Sequence, residues 1–214
     1  MWDFVRSIDQ KIIEMSKKLG WYGLVYILPW EERAKAKEFR KDDIAIAIEF
    51  DSRKFSDRAK SIRRLVEIIA VKGGNLELNR AAVSNRYVDV LISPWHGRED
   101  AGFDYVMAKL AKENEVAIGF DFSEILHKSK SERAKILSRM LDVAKLVKKY
   151  KLDFLIFSGA RSCYDLRSPS EFRSFGRILG FQDPEIKKSL SGYLVKSNRE
   201  KIQKQIAKGI VKIK

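Results

Sequence analysis

The chain has 214 residues, enough for one ordinary domain with a substantial core, and 45% of them are hydrophobic against 34% charged. Lys plus Arg number 43 and Asp plus Glu 29, a formal net charge of +14; the isoelectric point is about 9.8. The lone Cys163 excludes an intramolecular disulfide and a thiolate metal cluster, and no run of about 18 apolar residues offers a membrane span.

Like charges on a compact domain repel, so the surplus favours a polyanionic partner. Nucleic acid is the commonest such partner, and an anionic membrane surface is the next. Heat-adapted proteins are also rich in charge, but their ion-pair networks need both signs, which accounts for the charged fraction and not for the imbalance. The first six residues lack the basic-then-apolar order of a signal peptide. A single cysteine suits a reducing, cytoplasmic setting.

Along the chain, short apolar runs alternate with amphipathic helices, the rhythm of βα units around a parallel sheet. Residues 2–5 form the first strand, followed by a helix with Ile8, Ile12, Met15 and Leu19 on one face and Gly20 beyond its end. Residues 24–28 are the second strand, and Pro29 opens a polar helix through Glu31, Glu32, Ala34 and Ala36. Residues 44–48 are the third, apolar at every position, as expected when both faces are covered. Ser56 or Asp57 caps the next helix, which ends near Arg64. Residues 67–71 are the fourth strand, closed by Gly73-Gly74, and Asn75 starts a short helix. Residues 88–92 are the fifth, and a helix over 103–113 carries Val106, Met107 and Leu110 inward. Residues 116–120 are the sixth strand; the longest helix spans about 131–150, and residues 154–157 are the seventh strand.

Three further helix starts follow, at Ser168-Pro169-Ser170-Glu171, Asp183-Pro184-Glu185 and Ser197-Asn198-Arg199. No eighth strand is evident, and residues 210–213 form a short terminal strand or a tail. The count favours an α/β fold: a TIM-like (β/α) barrel over residues 1–214 as one domain, irregular, with about seven clear strands and extra C-terminal helices. An open doubly wound sheet competes, and periodicity does not separate the two.

Chemistry-bearing residues are sparse. His96 and His127 lie on different units, and the first strand ends in Asp3-Phe4-Val5 with no histidine. Glu49, Asp51 and Asp121 follow strands and would face one rim of a barrel. With His96 they form a candidate ligand set for a metallohydrolase acting on phosphoesters. The plainer reading is that each carboxylate caps a helix or pairs with an arginine such as Arg53. Gly73-Gly74 lacks phosphate-loop spacing, and Cys163 has no neighbouring histidine for a catalytic pair.

Basic residues are more informative. One group follows the seventh strand: Ser158-Gly159-Ala160-Arg161, then Arg167, Arg173 and Arg177, the last two on one helix face. Another is the C-terminal segment, where Lys201, Lys204 and Lys208 share a stripe and Lys212 and Lys214 follow. Phe172 and Phe175 at helical spacing belong to the core before they belong to any stacking platform.

The segments Phe154-Leu155-Ile156-Phe157-Ser158-Gly159-Ala160, Tyr164-Asp165-Leu166-Arg167-Ser168-Pro169 and Phe175-Gly176-Arg177-Ile178-Leu179-Gly180 resemble the TIM-barrel protein subunit of archaeal and eukaryotic ribonuclease P. Weaker matches are the strands at 67–71 and 87–93, and Leu190-Ser191 with Ser197-Asn198. The resemblance implies a subunit of a ribonucleoprotein that removes the 5′ leader of precursor tRNA. Its catalytic component is RNA with Mg²⁺, and the protein, which binds no cofactor itself, pairs with another small protein subunit. It also implies distant kinship with barrel metallo-phosphoesterases that carry a His-x-His motif on the first strand, which this chain lacks.

On that reading Arg98, Arg161, Arg167, Arg173 and Arg177 are the foremost RNA-contact candidates, with Lys72, Arg80, Arg86 and Lys187 next. Arg167 has a competing structural role, tying its loop to Asp165 or Glu171. A third possibility is a scaffold whose charge serves only solubility.

Overall fold

The computed structural model describes residues 1–52, 54–207, 210 and 211. Seven parallel strands run in sequence order through one sheet: β1 (Trp2–Val5), β2 (Gly23–Pro29), β3 (Ile44–Phe50), β4 (Ile68–Lys72), β5 (Val90–Ile92), β6 (Ala117–Asp121) and β7 (Phe154–Phe157). Each strand pairs with its sequence neighbour. A doubly wound sheet would reverse its order at a switch point, so this topology excludes that competitor.

Strand alternation fills the barrel. The inward set includes Phe4, Val25, Ala45, Ala47, Ile68, Ala70, Val90, Ala117 and Phe157. Ile44, Ile46 and Ile48 face the helices, so both faces of β3 are buried, as its unbroken apolar run requires. Small residues on β3, β4 and β6 leave room for the aromatic pair Phe4–Phe157, whose ring centroids are 5.2 Å apart.

Closure uses the chain beyond β7 in place of an eighth strand. Gly159 N–H donates to Phe4 O at 2.9 Å, Arg6 N–H donates to Ala160 O at 2.8 Å, and Val5 bridges Ala160. Asp3 joins this seam: its Oδ1 accepts Ser158 N–H at 2.8 Å, while Oδ2 is buried without a partner. Burial pushes the Asp3 carboxyl up to about 7, against the Ser158 hydrogen bonds that favour its charge.

The outer layer is α1 (Gln10–Lys18), a 3₁₀ turn (Trp30–Lys35) with α2 (Ala36–Phe39), α3 (Phe55–Ile62), α4 (Leu76–Val83), α5 (Tyr105–Glu113), α6 (Ser123–Leu126), α7 (Lys130–Lys149), α8 (Pro169–Ile178) and α9 (Asp183–Leu190). Ser129 and Ser168 head capping boxes with Glu132 and Glu171. Asp104 accepts Met107 N–H, which starts α5 two residues later than expected and leaves Val106 exposed. Ser56 and Asp57 do not cap α3: they lie inside it, because Lys54 holds the N-cap position. The polar helix expected after Pro29 is a 3₁₀ turn before it becomes α2.

The floor of the barrel is α10 (Tyr193–Lys204), which places Val195 against the interior. It starts well before the expected Ser197-Asn198-Arg199 signal. Asn198 spends its amide across the floor instead of capping: Nδ2 donates to Glu67 O at 2.8 Å and to Asp89 Oδ1 at 2.9 Å. Arg199 reaches Glu67 and the carbonyls of Lys41 and Asp42. Gly192, at φ +71°, joins α9 to α10; a Cβ there would lie 2.2 Å from the Trp2 ring. Ile210–Val211 (β9) pairs antiparallel with Gln205–Ala207 (β8), outside the barrel sheet. Ile213 and Arg53 lie outside the described residues.

Two outcomes follow. Asn198→Ala strands a buried carbonyl and a carboxylate oxygen, and is expected to lower the unfolding free energy by about 1–3 kcal/mol in denaturant titrations. Unfolded, Asp3 releases its proton near its ordinary 3.8; folded, it holds the proton to about 7. Stability therefore falls as pH rises through that window and levels off above it. Thermal unfolding between pH 4 and pH 8 is expected to show a flatter profile for Asp3→Asn; an unaltered profile removes Asp3 as the cause.

Candidate nucleic-acid interface

The strands deliver their C-terminal ends to one rim, and a buried ion cluster sits at its centre. Arg6, one residue past β1, donates from Nη1 and Nη2 to the two Glu49 oxygens at 2.7 and 2.9 Å. It also meets Asp121 Oδ2 from Nη2 at 3.1 Å and from Nε at 3.3 Å. The other Asp121 oxygen accepts Ser123 N–H and Oγ–H at 3.0 and 2.6 Å. Gly159 is at φ +59°, and a Cβ there would lie 2.1 Å from Asp121 Oδ1, so glycine is needed for this close approach.

Burial opposes the Arg6 charge, but Glu49 and Asp121 outweigh it and hold the guanidinium protonated above its usual range. Burial raises the Asp121 carboxyl despite the Arg6 charge beside it. For Glu124, burial acts upward, yet His96, bonded through Nδ1 at 2.8 Å, together with Lys72 and Arg6, holds the carboxyl below its ordinary value.

This geometry corrects the metallohydrolase alternative. Glu49 and Asp121 are spent on a guanidinium, His96 on Glu124, and Asp51 stands exposed. Among the described residues no group of three or more His, Cys, Asp and Glu could hold a metal ion. The carboxylates do pair with an arginine, but it is Arg6; the suggested Arg53 lies outside the described residues. The sequence signal was one position beyond Asp3-Phe4-Val5, where a lone arginine follows a buried strand.

The candidate contact residues separate into distinct settings. Lys72, Arg98, Arg161 and Arg167 share the rim, at the ends of β4, β5 and β7. Arg161 is exposed and has no carboxylate partner among the described residues. Arg98 is held by Asp100 at 2.5 and 2.8 Å. Arg167 ties its loop, but to the carbonyls of Tyr164 and Leu166 at 2.9 and 2.7 Å; Asp165 instead serves His127 and the amides of Arg161 and Ser162.

Arg173 and Arg177 lie on α8, and Arg177 is forked onto Asp183 at 2.8 and 2.7 Å. Arg80 lies 3.6 Å from Asp104. Arg86 leans on Tyr87 at the opposite end of the barrel from the rim, and Lys187 is exposed on α9. Lys201 is exposed on α10; Lys208, Lys212 and Lys214 lie outside the described residues. Phe172 and Phe175 are buried, as their spacing implies.

Sequence reasoning passed over the basic residues of α7. The helix carries Lys130, Arg133, Lys135, Arg139, Lys145, Lys148 and Lys149 against Glu132 and Asp142. The charge ratio of that one helix was the available signal.

The family model for RNase P subunit p30 matches residues 12–203. "Ribonuclease P protein component 3" of Thermococcus kodakarensis is 38% identical over 162 residues, covering 75% of this chain and 73% of the relative. The protein of that name from Methanocaldococcus jannaschii is 32% identical over 184 residues, covering 81% and 79%. A chain in a cryo-EM structure of archaeal ribonuclease P with mature tRNA superposes with a TM-score of 0.83 at 29% identity, covering 100% of this chain and 97% of that one. A prolidase crystal structure, at 11% identity and TM-score 0.57, covering 98% and 77%, shares the barrel fold alone.

Arg6→Met leaves the buried Asp121 and the partly buried Glu49 without their cation, and is expected to cost about 3–5 kcal/mol of stability at pH 7. The deficit should shrink as pH falls, because burial already raises the Asp121 carboxyl and it takes up a proton first. Urea titrations at pH 7 and at a lower pH read this directly, and equal losses at the two would refute the ion-cluster account.

Proposed function

This chain belongs to the RNase P subunit p30 family, and from that premise we propose that it is an RNA-binding subunit that supports the catalytic RNA of ribonuclease P in removing the 5′ leader of precursor tRNA. One observation supports the non-catalytic part: Glu49 and Asp121 at the centre of the barrel mouth are engaged by Arg6, and no group of His, Cys, Asp and Glu among the described residues could hold a metal ion. Bond-breaking then belongs to the RNA and its Mg²⁺, and the protein's task is electrostatic and geometric.

The formal charge of +14 supports the same division of labour. Lysines and arginines that replace counterions on phosphates gain affinity without reading sequence, which suits a protein that steadies a folded RNA by its backbone and shape. Arg161 and Lys72 on the rim, together with Arg98, Arg167, Arg173 and Arg177, are the proposed contacts; Arg80, Arg86 and Lys187 form an outer set. The remaining partners are another small protein subunit and, through the holoenzyme, precursor tRNA. No described helix is long and apolar enough to cross a membrane.

Reconstitution tests this reading. Catalytic RNA is assembled with the other subunits, with and without this chain, and assayed for precursor-tRNA cleavage across a Mg²⁺ series. The chain is expected to lower the Mg²⁺ needed for half-maximal cleavage, and identical curves in every combination would refute the assignment. Removing one phosphate contact, as in Arg161→Gln, is expected to reduce the slope of log affinity against log salt by about 0.7–0.9.

A further inference from the structure

Several arginines are already neutralised. Arg6, Arg40, Arg63, Arg98, Arg177 and Arg199 each lie within 4.0 Å of a carboxylate, and Arg80 also lies 3.6 Å from Asp104. Arg33 and Arg58 have no such partner among the described residues; both lean on the Trp30 indole. The Arg33 Cζ is 4.1 Å and the Arg58 Cζ 5.1 Å from its ring centroid. Arg33 lies on the 3₁₀ turn after β2 and Arg58 on α3 after β3, so two neighbouring rim units converge there.

The platform is rigid. Trp30 stacks on Phe50 at 5.1 Å and 26°, and Phe50 packs on Phe55 at 6.2 Å; both phenylalanines are buried. The negative face of the indole offsets the repulsion between two guanidinium groups that share it. Arg33 also donates from Nη1 to Trp30 O at 3.2 Å, which holds the fork in place while the residue stays exposed. With Phe50 and Arg33 already stacked on it, Trp30 has little room for a base, so the arrangement suits phosphate oxygens. Two pre-positioned planar forks without a carboxylate fit a sugar–phosphate backbone.

We propose that Arg33 and Arg58, braced on Trp30, form a phosphate-binding clamp for RNA on the barrel rim, separate from the loop after β7. The proposal rests on the RNA-binding reading above. An acidic protein segment would meet the same forks, but the overall charge and the rim shared with Lys72 and Arg161 favour RNA.

The test uses the full chain and a transcript of the ribonuclease P catalytic-domain RNA, with filter binding across a salt series. Arg33→Gln/Arg58→Gln is compared with Lys17→Gln/Lys35→Gln, which removes the same charge from lysines already paired with Asp43 and Glu32. The clamp variant is expected to flatten the slope of log affinity against log salt by about 1.4–1.8, with the lysine variant unchanged. Arg33→Gln alone, at an exposed position, should give half the change and guards against misfolding of the pair. Equal slopes for clamp variant and wild type overturn the clamp alone, as does an equal loss in both double variants. A defect confined to binding of the protein subunits assigns the forks to a protein and also overturns it. Wild-type protein that fails to bind at low salt overturns both the clamp and the RNA-binding reading beneath it.

Discussion

A buried guanidinium at the mouth of the barrel sets what this molecule can do. Arg6 brings together the ends of β1, β3 and β6 by joining Glu49 and Asp121, residues 43 and 115 positions away in the chain. Strand ends on this fold are where catalytic groups usually gather. Here the same position holds a satisfied ion cluster, sealed by the close approach of Gly159. A pocket of free carboxylates would attract a divalent cation; a pocket filled by arginine has no such demand. The proposed contacts with RNA accordingly lie on the rim and outer surface.

That surface depends on how the sheet is closed. Seven strands leave an open seam, and a seam of unpaired backbone invites aggregation. The chain answers with the segment Ser158-Gly159-Ala160 and with the Asp3 carboxylate, which stands where a backbone acceptor would. The floor is sealed by α10 through Asn198 and Arg199. Asp3 Oδ1 and Asn198 are polar groups in buried settings, and each is partnered by distant sequence. The result fixes the rim rigidly enough to present cations in set positions.

Much of the fold was readable because its signals are local. β1 and β7 match the expected limits, the all-apolar β3 is buried on both faces, and the Ser168 capping box starts α8 where its four residues say it must. α10 starts earlier than its capping signal implies because Asn198, a good capping residue, is used 131 positions away on Glu67. The candidate site was less legible for a related reason. Charge counts identify arginines but not which of them are neutralised. Asp100 beside Arg98 was visible at a separation of two residues; Asp183 on Arg177 depends on a turn between helices. Arg33 and Arg58 converge on Trp30 only once β2 and β3 lie side by side. Arg6 itself carried no local mark beyond following a buried strand.

The most direct test is a neutral replacement of the whole mouth cluster, Arg6→Met/Glu49→Gln/Asp121→Asn, assembled into the reconstituted holoenzyme. Single-turnover cleavage of precursor tRNA at saturating subunits and Mg²⁺ would then be compared with wild type, with assembly checked independently. An unchanged cleavage rate is expected on the proposal that the cluster shapes the protein and the RNA does the chemistry. A rate lower by orders of magnitude in a complex that still assembles would contradict the account.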